Sequence, residues 1–417
     1  MKIWTKTSTM SCLVALIATG CAREAREMPI IDTASFGVCG GGWQRPFDVD
    51  PIDFPFVSHC AALTNGTLHY IDASPSNVPS RGTVLAVHGN PTWSFVYRKV
   101  AALLVAAGYR FIAVDLYGFG FSDKPTLTAF NYLASSHAQV VDEFVTALDL
   151  SDYILLAQDW GGPVGLHSAV TQPQRVAGLV LVNTWAWAVE PIASEQTSPM
   201  HTVRDWGVEN VVNAEYYASS RQTALRAARG LGFRNDPQNG EVFERIQAAY
   251  RGPFFSDSPP LAPLFANVTA PIDLFARSLV YDEQFLAQLS SSLDALIDKP
   301  IYLLFGDDTA FGPVKCDLGP SHFYDFDLPR VDWSDVRRLC PASFTCETDA
   351  PEPLRHDCLD SSGEPYWHVS ETFQARWTPE RIIGVWQDAS AGHWLQETRA
   401  DDVAEGVLAV GRWLEGQ

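Results

Sequence analysis

A chain of 417 residues, 47% of them hydrophobic, has ample material for one large buried core with an accessory layer. Its formal net charge of −20 leaves no basic stripe able to neutralise phosphates, so a nucleic-acid partner is not expected. An acidic surface of this kind suits an exported enzyme.

In chain order, Lys2 and Lys6 precede the apolar segment from Met10 to Ala18, which is too short to span a bilayer but fits the h-region of a secretory signal. Ala18-Thr19-Gly20-Cys21 resembles the bacterial lipobox, so Cys21 is the lipidation candidate and a membrane anchor its consequence. The other reading is an ordinary signal peptide cleaved near Gly20. Residues 1–21 are therefore assigned to export and 22–46 to a lead-in or tether. The expected location is periplasmic or membrane-anchored outside the bacterial cytoplasm.

From residue 47 the pattern is that of βαβ units. Thr83 to Val87, Phe111 to Val114, Tyr153 to Ala157 and Val180 to Val182 are short buried runs. They alternate with helix-like stretches at Phe95–Ala107, Ala138–Leu148 and Val164–Val170. Residues 188–290 turn helical, with Tyr216 to Ala228 and Glu241 to Tyr250 the clearest stretches, and read as a helical cap over a core of residues 47–187 and 291–417. Ile301 to Phe305 and Ile382 to Trp386 are further buried strands. Between them, residues 314–381 are rich in Asp, Pro, Cys and aromatic residues without regular periodicity, as befits a surface insertion held by disulfides. The fold class is α/β, with a mostly parallel sheet, helices on both faces, a helical cap and this insertion.

Three strand ends carry chemistry. Gln158-Asp159-Trp160-Gly161-Gly162 is a strand-turn-helix elbow with an aspartate at its tip, where a related hydrolase places serine. A carboxylate is anionic at neutral pH and can attack a saturated carbon directly. Hydrolysis of the resulting ester then needs a general base, and Ala391-Gly392-His393-Trp394 supplies a histidine after the last strand. Asp307-Asp308 after the Ile301 strand completes the order nucleophile, acid, base. Counting back from Gly312-Pro313 favours Asp308, with Asp307 the alternative. His88-Gly89-Asn90-Pro91-Thr92-Trp93-Ser94 comes after a central strand and offers a backbone N–H to an oxyanion, the partner N–H being that of Trp160. The side chains of Asn90 and Trp160 are also hydrogen-bond donors, suited to a departing halide. His88 reads as structural.

With these motifs and Asp115-Leu116-Tyr117-Gly118-Phe119-Gly120-Phe121-Ser122-Asp123-Lys124-Pro125, the chain resembles the haloalkane dehalogenases of the α/β-hydrolase superfamily. The likeness runs from about Asp48 to Trp187 and returns at the Asp308 strand and at His393. The resemblance implies Asp159 as nucleophile, His393 as base, Asp308 as orienting acid, and Asn90 with Trp160 as halide and oxyanion residues. It implies a small apolar halogenated substrate with water, and no cofactor is expected. A Cys-based metal site is disfavoured because no Cys-x-x-Cys pair exists and His322, His356 and His368 are irregularly spaced. In one branch of the family the acid comes after the preceding strand, where this chain has Asn183, which cannot serve. A further halide contact from the cap has no motif here; Trp185, Trp187 and Trp206 are candidates.

Of eight cysteines, Cys12 and Cys21 fall in the export segment. The clustering of the rest predicts a Cys39–Cys60 bridge and two bridges among Cys316, Cys340, Cys346 and Cys358, all outside the hydrolase core. Two other functions remain open. An epoxide hydrolase would use the same Asp-His chemistry with cap tyrosines as acids, for which Tyr216, Tyr217, Tyr250 and Tyr281 are available. A lipid-anchored binding protein on a relic core would retain the fold without turnover.

Overall fold

Each of the six apolar runs lies inside a strand of one sheet. The computed structural model describes residues 37–76, 78–188, 240–254, 270–306, 368–388, 391 and 393–417. Among them nine strands, Gly37–Val38 (β1), Ser58–Leu63 (β2), Gly66–Ala73 (β3), Gly82–Val87 (β4), Tyr109–Val114 (β5), Tyr153–Gln158 (β6), Val176–Val182 (β7), Ile301–Gly306 (β8) and Ile382–Asp388 (β9), pair in the order β1-β2-β3-β5-β4-β6-β7-β8-β9. From β5 through β9 every pairing is parallel, whereas β1, β2 and β3 join antiparallel at one edge. This is the α/β-hydrolase sheet. Strands buried on both faces explain why the central runs are continuously apolar and do not alternate.

Helices Arg98–Ala106 (α1), Ala134–Ala147 (α2) and Gly161–Thr171 (α3) fill the connections. Periodicity alone places the start of α2 at Ala138 and that of α3 at Val164. Both begin earlier, because Ala134 and the two glycines of the elbow are drawn into buried first turns. Likewise β7 starts at Val176 and not Val180: Ala177 and Gly178 are poor strand formers, but pairing with β6 extends the strand there, and β8 joins from Leu179 onward. The hairpin of β2 and β3 carries a signal in Thr64-Asn65-Gly66, where Asn-Gly favours a tight turn.

The described part of the cap is helical: Gly240–Arg251 (α4), Ala270–Tyr281 (α5) and Glu283–Ser292 (α6). Its polar ties to the core are specific. The Trp93 indole N–H donates to the Ala249 carbonyl at 3.2 Å, and the Ala134 N–H donates to Ser278 Oγ at 2.8 Å. The N–H of Ser135 donates to Asp282 at 2.9 Å.

Two boundaries differ from the expectation. Residues 37–46 are built onto the sheet: β1 pairs with β2, Trp43 stacks on His69 with centroids 5.7 Å apart, and Cys39 is bonded to Cys60 across a Cα separation of 4.8 Å. Cys60 thus belongs to a core strand, which corrects its placement outside the core. At the other end, His368–Gln374 (α7) and Trp377, expected within the insertion, are anchored in the core. Phe373 and Trp377 are buried, Phe373 meets Trp187 at 5.1 Å, and the Arg376 guanidinium donates to the Ser290 carbonyl at 2.6 Å. A segment that buries two large aromatic side chains is part of the packed core and not of a surface insertion. The export segment with Cys12 and Cys21, the pair Asp307 and Asp308, Tyr216, Tyr217 and Trp206 lie outside the described residues, as do Cys316, Cys340, Cys346 and Cys358.

Leu395–Thr398 (α8) and Ala400–Glu415 (α9) close the chain. In α9, Val403, Ala404, Val407 and Val410 form the buried stripe that covers β7, β8 and β9.

Candidate active site

Asp159 sits at the tip of the elbow with φ 54°, a backbone conformation that side chains other than glycine rarely adopt. The surroundings hold it there. Its N–H donates to the Asn183 carbonyl at 3.1 Å, and its carbonyl accepts the Thr184 hydroxyl at 2.6 Å and the Gly162 N–H at 2.9 Å. Glycines permit the close approach: a Cβ on Gly162 would fall 1.7 Å from Thr184 Oγ1, and one on Gly89 would fall 2.3 Å from the Asp159 Cβ.

The turn after β4 therefore reaches the carboxylate. The Asn90 N–H donates to Asp159 Oδ1 at 2.8 Å, while Asp159 Oδ2 lies 3.5 Å from Nε2 of His393. The two oxygens are thus differentiated, one against a backbone donor and one facing an imidazole. Asp159 is 7% exposed, so this occurs in a largely desolvated place where such contacts are strong.

Trp160 is buried beside it, with its ring edge-on to Trp185 at 4.7 Å and tilted against Phe275 at 5.2 Å. Asn90 gives one side-chain hydrogen to the Ile272 carbonyl at 3.0 Å, which ties the turn to α5 and leaves the second amide hydrogen for another acceptor. Of the cap tryptophans considered from sequence, Trp185 adjoins Trp160, whereas Trp187 packs on Phe373.

His393 is gripped from two sides. The Gln158 side-chain amide lies 2.8 Å from its Nε2, and the Asn183 amide donates to its carbonyl at 2.8 Å. Asn183 also accepts the Gly306 N–H at 2.8 Å. A residue set aside because it cannot be the acid thus ties together the histidine segment, the end of β8 and the Asp159 turn. Sequence reasoning missed both roles. The one available signal was an amide ending a strand otherwise made of Tyr, Ile, Leu and Ala.

His88 fills a structural position: Nδ1 lies 2.9 Å from the Gly89 carbonyl, and Nε2 accepts the Leu116 N–H at 3.0 Å. Burial lowers its pKa, keeping the ring neutral with the proton on Nδ1. Of the tyrosines considered for an epoxide, two are described. Tyr250 donates to Glu397, and Tyr281 is 59% exposed. Among the described residues, no group of His, Cys, Asp and Glu could hold a metal ion.

Known proteins agree with the fold. The alpha/beta hydrolase fold family matches residues 82–237. A protein of Mycobacterium tuberculosis called haloalkane dehalogenase 2 is 40% identical over 152 residues, which are 36% of this chain and 50% of the relative. The chain thus matches about half the length of that relative. Among solved structures, the tetrameric haloalkane dehalogenase DpaA from Paraglaciecola agarilytica NO2 superposes with TM-score 0.53 at 20% identity over 87% of this chain and 95% of its own. The epoxide hydrolase CorEH does so with TM-score 0.53 at 16% identity over 86% of this chain and 99% of its own. At these identities the two structures speak for the fold alone.

Proposed function

We propose that this α/β-hydrolase-fold chain is a haloalkane dehalogenase that converts a haloalkane and water into an alcohol, a halide and a proton. The observation that carries the reading is the Asp159 carboxylate, with Oδ1 on the Asn90 N–H and Oδ2 open toward His393. The similarity to a haloalkane dehalogenase over 152 residues supports it.

The two oxygens divide the work. Oδ2 attacks the carbon bearing the halogen; a carbon–oxygen bond forms, the carbon–halogen bond breaks, and the halide takes the electron pair. Asn90 and Trp160 offer it N–H donors. Water then gives a proton to His393 Nε2 as its oxygen adds to Cγ of Asp159. Negative charge gathers on Oδ1, already on the Asn90 N–H, with the Trp160 N–H as the second proposed donor. Collapse expels the alkoxide, which takes the proton from His393, and the Asp159 acid ionises again. Asp308, or Asp307 in its place, orients His393 in this scheme.

The reading is tested by halide release from chlorinated and brominated alkanes, with an epoxide run in parallel. Because His393 acts only in the second step, His393→Ala should still form the ester. Mass spectrometry should find a stoichiometric alkyl adduct on the Asp159 peptide; bound substrate with an unmodified peptide refutes the mechanism. Turnover of the epoxide without halide release would favour the epoxide hydrolase. We further propose that the chain acts outside the cytoplasm, where the Cys39–Cys60 bridge is stable, with Cys21 as its lipid anchor.

A further inference from the structure

Strand β6 is buried along its whole length, yet it ends in the carboxamide of Gln158, which is 0% exposed. An amide so buried is costly unless hydrogen bonds compensate. Its nitrogen is 2.8 Å from His393 Nε2, and among the described residues its Oε1 has no partner. That imidazole nitrogen also faces the Asp159 carboxylate at 3.5 Å. Gln158 and the proposed nucleophile are thus consecutive residues meeting one nitrogen of the proposed base.

We propose that Gln158 is a positioning residue that holds the Nε2 edge of His393 in both of its protonation states. A neutral imidazole with its lone pair on Nε2 accepts from the amide NH2. Water displaces that amide hydrogen to reach the lone pair; once it has given its proton to Nε2, that nitrogen becomes a donor, and a half-turn of the carboxamide presents Oε1 to accept it. Glutamine serves both states without adding charge. A carboxylate would favour the imidazolium and hold back the proton needed by the departing alkoxide, while a hydrocarbon would serve neither state.

The contact itself does not depend on the substrate; only its kinetic consequence rests on the dehalogenase reading. The test therefore has two arms on the full chain. In the first, 15N NMR of histidine-labelled protein without substrate follows the His393 ring, identified by its absence from His393→Ala. Gln158→Glu should raise the titration midpoint of His393 by about one unit or more, because a like-sized carboxylate then faces the imidazolium. Gln158→Leu should increase the share of the tautomer protonated on Nε2. An unchanged midpoint in Gln158→Glu together with unchanged tautomers in Gln158→Leu overturns the proposal; if the leucine variant does not fold, the nearly isosteric glutamate variant decides alone.

In the second arm, single-turnover kinetics with a brominated alkane should show ester formation nearly unchanged in Gln158→Leu, while ester hydrolysis slows roughly tenfold or more and the alkyl-enzyme accumulates. Equal slowing of both steps would overturn the positioning role in favour of a merely structural one. Absence of halide release from the unaltered protein would refute the dehalogenase reading, and the first arm would still decide the role of Gln158.

Discussion

Tyr250, on the cap helix α4, donates its hydroxyl to the buried carboxylate of Glu397, in the short helix just after His393. Arg98 from α1 grips the same carboxylate through both terminal guanidinium nitrogens, and the Lys99 ammonium lies 3.1 Å from it. Cap, core helix and histidine segment thus meet at one charge. Burial, reinforced by the negative charge of Glu397, raises the Tyr250 pKa well above its ordinary value, so the hydroxyl remains a donor.

Tyr250→Phe removes one hydrogen bond to a charged group and leaves Arg98 and Lys99 in place. It should cost about 1.5–3 kcal/mol of unfolding free energy in urea. Glu397→Gln should cost more, about 3–5 kcal/mol, because it strands the Arg98 charge over the Phe95 ring. Equal effects of the two substitutions would contradict this order.

Trp160→Phe keeps an aromatic ring between Trp185 and Phe275 but deletes the indole N–H. Turnover of a brominated alkane should drop by about one to three powers of ten, the usual cost of an oxyanion-type donor. Quenching of protein fluorescence by halide should weaken in parallel. Unchanged kinetics and quenching would remove Trp160 from the halide site.

His137 is buried among Phe119, Phe130, Tyr132 and Phe275, and neither ring nitrogen has a partner among the described residues. Burial, with a smaller contribution from His88, lowers its pKa from 6.5 to about 3. The folded protein therefore disfavours the proton that the unfolded chain binds. Its contribution to stability is complete above pH 6.5 and is lost progressively as the pH falls toward 3, by at most about 1.4 kcal/mol per pH unit. In a series of urea titrations, His137→Leu should flatten the stability profile across that window. An unaltered slope would show that the acid sensitivity arises elsewhere.

Material from an oxidising compartment should yield Cys39–Cys60 in a non-reducing peptide map, with two more bridges among Cys316, Cys340, Cys346 and Cys358. Replacing Cys39 and Cys60 with serine frees a loop of 21 residues' separation and should cost about 3 kcal/mol on the chain-entropy account. Free thiols at the four later cysteines would remove both the stapled insertion and the support it lends to export.

The parallel sheet was legible in the chain because strands buried on both faces must be apolar throughout, and that pattern is local. So were Asp159 and His393, since an elbow needs small residues around its tip and the C-terminal end of a parallel strand delivers the next residues to the rim of the sheet. The antiparallel edge was less visible: β2 exposes part of its length, and it is paired only with β3 and the two-residue β1. What only the tertiary structure decided is how polar side chains are shared. Gln158, Asn183, Tyr250 and Glu397 meet partners more than a hundred residues away, and their side-chain contacts leave no period in the sequence. The sequence determined that Asp159 and His393 come just after buried strands, where a parallel sheet delivers them to its rim. Burial, which forces every amide and carboxylate it encloses to find a partner, decided which residues hold His393 and couple it to the cap.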